Sequence, residues 1–169
     1  MDKTAFYKLS YGLYLLTARE GEKENGCIIN TAVQCASEPK LISICVINKN
    51  LTCDMIRNTG RFNISVLTES TPFAFFQRFG MQSGRDVDKF AGDEEMPYMA
   101  NDIRYYPEAA AVFACKVVSS TDLGSHTLFI AQPEDALSFS DEAPMTYAYY
   151  HSVLKGKTPP KASSFVAKD

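Results

Sequence analysis

Residues 26–52 read GCIINTAVQCASEPKLISICVINKNLT. Two apolar runs, Gly26 to Cys35 and Leu41 to Ile47, flank a Ser-Glu-Pro turn and lead into Asn48-Lys49-Asn50-Leu51-Thr52. Apolar runs of this length, rich in β-branched residues and bounded by turn residues, predict strands. The first run carries Asn30, Thr31 and Gln34 where a core strand would carry apolar side chains. Side chains alternate along a strand, so Asn30, Ala32 and Gln34 share one face and Thr31 and Val33 the other. Polar atoms on both faces of a barrel strand need partners, and a planar heterocycle rimmed with hydrogen-bonding atoms would supply them. An antiparallel strand with one face in water explains the same pattern without a ligand.

Upstream, Tyr11 to Ala18 reads as a strand joined to Gly26–Cys35 by the polar loop Arg19 to Asn25. Downstream, Thr52 is the expected N-cap of a short helix, with Asp54 in the first turn and Gly60 after the end. Arg61 to Leu67 alternates Phe62, Ile64 and Val66 with Asn63 and Ser65, the pattern of a half-buried strand. A second helix takes Thr71 as N-cap and Pro72 as its first residue, carries Phe73, Phe75, Phe76 and Phe79, and stops at Gly80. Ala111 to Val118, Thr127 to Ala131 and Ala136 to Phe139 read as further strands. About six or seven strands with two or three short helices predict a mainly β domain, a closed or nearly closed antiparallel barrel with helices over its ends. Residues 1–154 form that domain, and 155–169, rich in Pro, Lys and Ser, a loosely held tail.

At 169 residues the chain suits one domain with a full core. Its 46% hydrophobic and 22% charged residues exclude general disorder. A net charge of −3 without any Lys/Arg block argues against a nucleic-acid partner, since phosphate-backbone affinity needs concentrated cations. The N-terminus lacks the basic lead and cleavage site of a signal peptide, and no apolar run approaches the ~20 residues that span a bilayer. A soluble, cytoplasmic protein without membrane contact is expected. Cys27, Cys35, Cys45, Cys53 and Cys115 are odd in number and mostly sit in apolar segments, which suits a reducing compartment and a role as small buried hydrophobes. Cys53, in a helix first turn, is the one whose thiolate could be favoured.

The sequence holds no G-x-G-x-x-G after a strand, no P-loop, no G-x-S-x-G and no C-x-x-C. Its two histidines, His126 and His151, have no spacing that supports a metal site. What remains is an anion-binding constellation. Asn48, Lys49, Asn50 and Thr52 supply amide, hydroxyl and ammonium donors at a helix start, which are the groups a terminal phosphate needs. Ser83-Gly84-Arg85-Asp86 offers a second cluster, with Gly84 allowing close backbone approach. Either cluster alone is better explained by turn, cap and ion-pair chemistry than by a ligand.

Taken together and in order, YGLYLLTA, NGCIINTAVQ, SEPKLISICV, NKNLT, GRFNISVL, RFGMQSGRDVDKFAG, GSHTLFI and YAYYHSVLKGKTP resemble the flavin reductase-like FMN-binding split-barrel family. The likeness covers almost the whole chain and is strongest to the flavin module of high-molecular-weight rubredoxins and to flavoredoxins. It implies a homodimer of six-stranded split β-barrels with non-covalent FMN near the subunit interface. Asn30, Thr31, Val33 and Gln34 would line the isoalloxazine, and Asn48, Lys49, Asn50 and Thr52 would hold the ribityl and phosphate end, joined by Ser83, Gly84, Arg85 and Lys89. His126 matches the histidine that faces the nicotinamide or substrate side of the flavin; a hydrogen-bonded structural histidine is the equal alternative. Tyr149, Tyr150 and His151 cover either the site or the dimer seam. The implied function is NAD(P)H:flavin oxidoreduction, with electrons passed to a separate acceptor, a rubredoxin-like protein or a small molecule. The alternative is a flavoredoxin-like electron carrier that turns over no nicotinamide. Lacking C-x-x-C pairs, the chain carries no fused rubredoxin domain on this reading.

Overall fold

The computed structural model describes residues 1–156. Seven strands form one antiparallel sheet: β1 (Tyr14–Glu20), β2 (Lys23–Ile29), β3 (Val33–Ser37), β4 (Lys40–Ile47), β5 (Arg61–Val66), β6 (Ala111–Asp122) and β7 (His126–Ser138). Their order is β2-β1-β5-β6-β7-β4-β3, so the two edge strands are consecutive in sequence. In a flat sheet, six inter-strand spacings would put those edges roughly 29 Å apart. The chain from Ile29 to Val33 reaches at most about 14 Å. The sheet must therefore curl until its ends meet without a ladder between them, which is a split barrel.

The strand that the sequence predicts over Gly26 to Cys35 is in fact two, β2 and β3, separated at Asn30–Ala32. That break raises the strand number from the implied six to seven. The β1–β2 hairpin also turns more tightly than expected. Glu20 pairs with Lys23, leaving a two-residue loop whose Gly21 has φ +59°, as the first loop position of a II′ turn requires. The charged residues there are accommodated separately: Lys23 is exposed on edge strand β2, Glu24 pairs with Arg104, and Arg19 Nε donates to Gly21 O at 2.9 Å. Likewise β7 runs unbroken from His126 to Ser138 instead of splitting into two strands, its pairing with β6 absorbing two bulges.

Two apolar cores lie on the two sides of the sheet. Leu16, Ala18, Ile44, Phe62, Ile64 and Phe129 fill the barrel, closed by Cys53, Met55 and Ile56 of α1 (Leu51–Thr59). Leu13, Leu15, Leu67, Val112 and Met145 pack outside it with Phe76 and Phe79 of α2 (Phe73–Met81) and Tyr150 of α3 (Tyr147–Ser152). Fully burying a side chain of this kind contributes about 1.5–3 kcal/mol. Gly26 in β2 is the point where α2 touches the sheet: a Cβ there would stand 3.0 Å from Phe79 Cδ1.

β5 is not half-buried. Asn63 and Ser65 point away from the barrel but are fully covered by the loop over 101–106. Asn63 Nδ2 donates to Ile103 O (2.7 Å), Asn101 Nδ2 donates to Asn63 Oδ1 (2.7 Å), and Tyr106 N donates to Ser65 Oγ (3.1 Å). Next to them, Thr17 Oγ1 donates to Arg104 O at 2.6 Å. Both helix starts differ from expectation as well. Asn50, not Thr52, caps α1, accepting from Thr52 N at 3.0 Å. Pro72 is the N-cap of α2 and has no side chain to cap with, while Thr71 Oγ1 accepts instead from Thr68 N. Gly80 lies inside α2, against Ile28. Of the expected tail, 157–169 lies outside the described residues.

Candidate functional site

A cavity of about 760 Å³ opens between β2, the end of β4 and the three helices. Cys27 to Asn30 and Cys45 to Ile47 line it from the sheet, and Phe76, Phe79, Tyr147 and Tyr150 form an aromatic wall. Lys49, Asn50, Ser83, Gly84 and Lys89 give it a polar side, and His126 contributes from the start of β7. The two anion-binding clusters expected from sequence converge here although some thirty residues separate them. Asn25 joins them: its Nδ2 donates to Thr52 Oγ1 at 2.9 Å, and a Cβ on Gly84 would stand 2.1 Å from its Oδ1. Arg85 ties the same turn to the first turn of α1, through Lys49 O (3.4 Å) and an ion pair with Asp54. Cationic and amide donors beside a helix start, next to apolar and aromatic walls, fit a phosphorylated planar ring.

Of the expected site residues, Asn30, Lys49, Asn50, Ser83, Gly84, Lys89 and His126 line this cavity, and Tyr150 joins them. Lys89 is buried, its Nζ donating to Gly26 O (2.9 Å) and Phe79 O (3.0 Å). Burial pushes its pKa below the ordinary lysine range. The His126 imidazole is likewise shifted down by burial, and its Nδ1 lies 2.8 Å from Ser125 Oγ. The other expected residues stand elsewhere. Thr31 Oγ1 donates to Cys45 O (3.0 Å) and accepts from Cys45 N (3.2 Å), replacing a ladder rung where the sheet is split. Val33 and Gln34 are exposed on edge strand β3. Thr52 is buried behind Asn50 and spends its hydroxyl on Asn25. Arg85 lies on the outer side of its turn, and Asn48 is bonded to the β6–β7 turn. Tyr149 and His151 stand outside the lining, the His151 Nδ1 lying 2.8 Å from Gly156 O.

Sequence reasoning passed over several wall residues. Cys27 and Cys45 read as core cysteines, and Phe76 and Phe79 as core or interface. They are buried or half-buried and still face the cavity. Burial raises the Cys27 thiol pKa, with the Lys89 ammonium opposing it. Cys53 is fully buried and its thiol is also raised by burial, so its helix-start position does not favour a thiolate. Tyr147, stacked on Tyr150 with centroids 6.3 Å apart, carried no signal beyond an aromatic repeat. Asn25 could have been found only by knowing that Gly84 would meet it. Among the described residues no His/Cys/Asp/Glu group could hold a metal ion, and no helix is long and apolar enough to cross a membrane.

Residues 6–157 match the flavin reductase like domain. The chain belongs to that family. Membership makes it a flavin-dependent oxidoreductase of the flavin reductase-like kind, and the fold agrees. A ferric-chelate reductase (NAD(P)H) of Archaeoglobus fulgidus is 39% identical over 165 residues, covering 98% of either chain. A high molecular weight rubredoxin of Moorella thermoacetica is 39% identical over 171 residues, which are 98% of this chain and 72% of that one. Among solved structures, a flavoredoxin from Methanosarcina acetivorans superposes with a TM-score of 0.70 at 20% identity, over 80% of this chain and 74% of the other, and so shares the fold.

Proposed function

We propose that residues 1–154 form an FMN-binding unit that passes electrons from NAD(P)H through the flavin to a separate acceptor. The observation that carries this reading is the meeting of the α1 start with the Ser83–Gly84 turn at one side of an apolar, aromatic cavity whose rim holds His126. Lys49, Asn50, Ser83 and Gly84 would hold the phosphate, and the single terminal phosphate such a cluster suits favours FMN over FAD. Lys89 adds a buried cation beside the main chain of β2, where negative charge is stabilised most strongly. Asn30 and the β2 main chain would meet the ring edge, with the aromatic wall excluding water. His126, neutral near pH 7 because burial lowers its pKa, would face the nicotinamide. The flavin, when bound, supplies two-electron uptake and stepwise release.

The acceptor class is a small ferric chelate or a rubredoxin-like protein, supported by the activity named for the A. fulgidus relative and by the M. thermoacetica relative. Likeness to that rubredoxin also favours a second reading, a carrier reduced by a protein donor with no nicotinamide turnover. We further infer a homodimer in a reducing, cytoplasmic setting, the latter supported by five free cysteines. Extraction of the flavin from the protein as purified tests the cofactor, and anaerobic titration of the flavin-loaded protein with NADH and NADPH tests the donor. Stoichiometric bleaching and release of FMN is expected. No bleaching with either nucleotide, but reduction by a reduced ferredoxin or rubredoxin, would replace the enzyme with the carrier.

A further inference from the structure

The β6–β7 turn holds His126, yet it extends beyond the packed barrel: Thr121 to Ser125 are all exposed. Gly124 takes φ +85° and Leu123 N donates to His126 O at 2.8 Å, while the β4–β7 pairing sets His126 opposite Ile47, so the base of the turn is held by the sheet and its tip is not. The tip is held by Asn48, the residue that follows β4. Its main-chain N–H donates to Ser125 O (3.0 Å), and its Nδ2 donates to Gly124 O (2.8 Å) and Asp122 Oδ1 (3.0 Å). Its Oδ1 accepts from Thr127 Oγ1 (2.7 Å) and Arg57 Nη2 (2.8 Å). A primary amide has two N–H donors and two acceptor lone pairs. All four are committed to the turn and to α1, so this side chain has no capacity left for a ligand.

We propose that Asn48 is a positioning residue that sets the His126 imidazole at the cavity rim by clamping the Asp122–Thr127 turn to α1, and that it does not bind the flavin. The inference rests on the reading of His126 as the residue facing the nicotinamide. Asn48 is not alone in the clamp: Arg57 also contacts Thr127 Oγ1 (2.5 Å) and reaches Asp54, which pairs with Arg85. The turn bearing His126 is thereby connected to the turn bearing Ser83 and Gly84.

The test uses Asn48→Ala in three measurements: FMN affinity by fluorescence quenching, the His126 titration by NMR of the flavin-free protein, and flavin reduction by NAD(P)H in anaerobic stopped flow. His126→Gln assigns the resonance, since His151 is the only other histidine. We expect unchanged FMN affinity, a His126 midpoint that rises toward the ordinary ~6.5 as the ring becomes solvated, and reduction slowed on the order of tenfold to a hundredfold by misplacement. Asp122→Ala removes one exposed acceptor and shifts the midpoint in the same direction by less, which keeps the test alive should Asn48→Ala not fold. A tenfold loss of FMN affinity with an unmoved His126 titration would overturn the proposal and make Asn48 a flavin ligand. An unmoved titration with unchanged affinity would overturn it too. If His126→Gln leaves reduction at the wild-type rate, the reading of His126 fails, and the titration still decides whether Asn48 positions the ring.

Discussion

Lys89 is a cation that the fold buries against two main-chain carbonyls, and carbonyl dipoles compensate an ammonium less well than an anion does. On the proposed function, a phosphate or an electron-rich ring would supply that negative charge. Lys89→Met should therefore weaken FMN binding by at least about tenfold, the scale of one charge-assisted hydrogen bond of ~1.5–3 kcal/mol. Titrating the variant against FMN fluorescence checks this, and wild-type affinity would remove Lys89 from the site. His126 makes a prediction about pH. Its folded pKa lies below the unfolded value of ~6.5, because burial disfavours the imidazolium. As pH falls through that window the unfolded chain takes up a proton before the folded one does, so stability declines with falling pH and the loss is complete below the folded pKa. Melting temperatures between pH 8 and 5 should fall less for His126→Gln than for wild type; parallel curves would show that the ring is not desolvated.

Strand β5 shows what an element's own pattern can and cannot say. Its alternation placed Phe62 and Ile64 in the barrel correctly, but nothing within Arg61–Val66 reveals that a loop forty residues later covers the opposite face. The polar residues there are matched by that loop, through the main chain of Ile103 and Tyr106 and the Asn101 side chain. Asn63→Ala would leave Ile103 O and Asn101 Nδ2 without this partner, at a cost of about 1–3 kcal/mol, read as a lowered denaturation midpoint with unchanged slope. The same logic explains the division at Asn30–Ala32. Period and propensity run through residues 26–35 as one strand, and only the closure of a seven-stranded sheet requires the break. The α1 start was misplaced, though its end at Gly60 was not, because Asn50 and Thr52 are both good caps and the Thr52 hydroxyl is taken up by Asn25. That Lys49, Asn50, Ser83 and Gly84 offer donors at a helix start and a glycine turn was legible locally, and the fold brings them to one cavity. Where Thr31, Thr52 and Asn48 direct their polar atoms was not legible, because each bonds to a segment that lies beside it only in the fold.

At the scale of the whole molecule, the two cores share strands and cannot melt apart. β1 gives Leu16 and Ala18 to the barrel and Leu15 to the outer layer, so losing either core strips one face of the same strand. Urea unfolding followed by far-UV circular dichroism and by tyrosine fluorescence should give coincident transitions; separated midpoints would mean that the outer layer is an independent unit. The outer layer is fastened by Arg104, whose Nε meets Glu24 Oε2 at 2.8 Å while its Nη1 donates to the carbonyls of Asp93, Glu94 and Met96. Arg104→Ala breaks a largely buried pair and should cost about 3–5 kcal/mol, measured in the same urea experiment. The sheet, finally, is a strip whose ends are joined by three residues and not by a ladder. In a fully closed cylinder the girth is set by strand number and stagger, and changing it means re-pairing every strand. Here the split is spanned by the Asn30–Ala32 link, which Thr31 fastens to Cys45 of β4. Lengthening the Asn30–Ala32 link by a residue or two would widen the cavity mouth and leave all six strand pairings intact, so this architecture can be refitted to a bulkier ring by insertion where a closed barrel would need a new core.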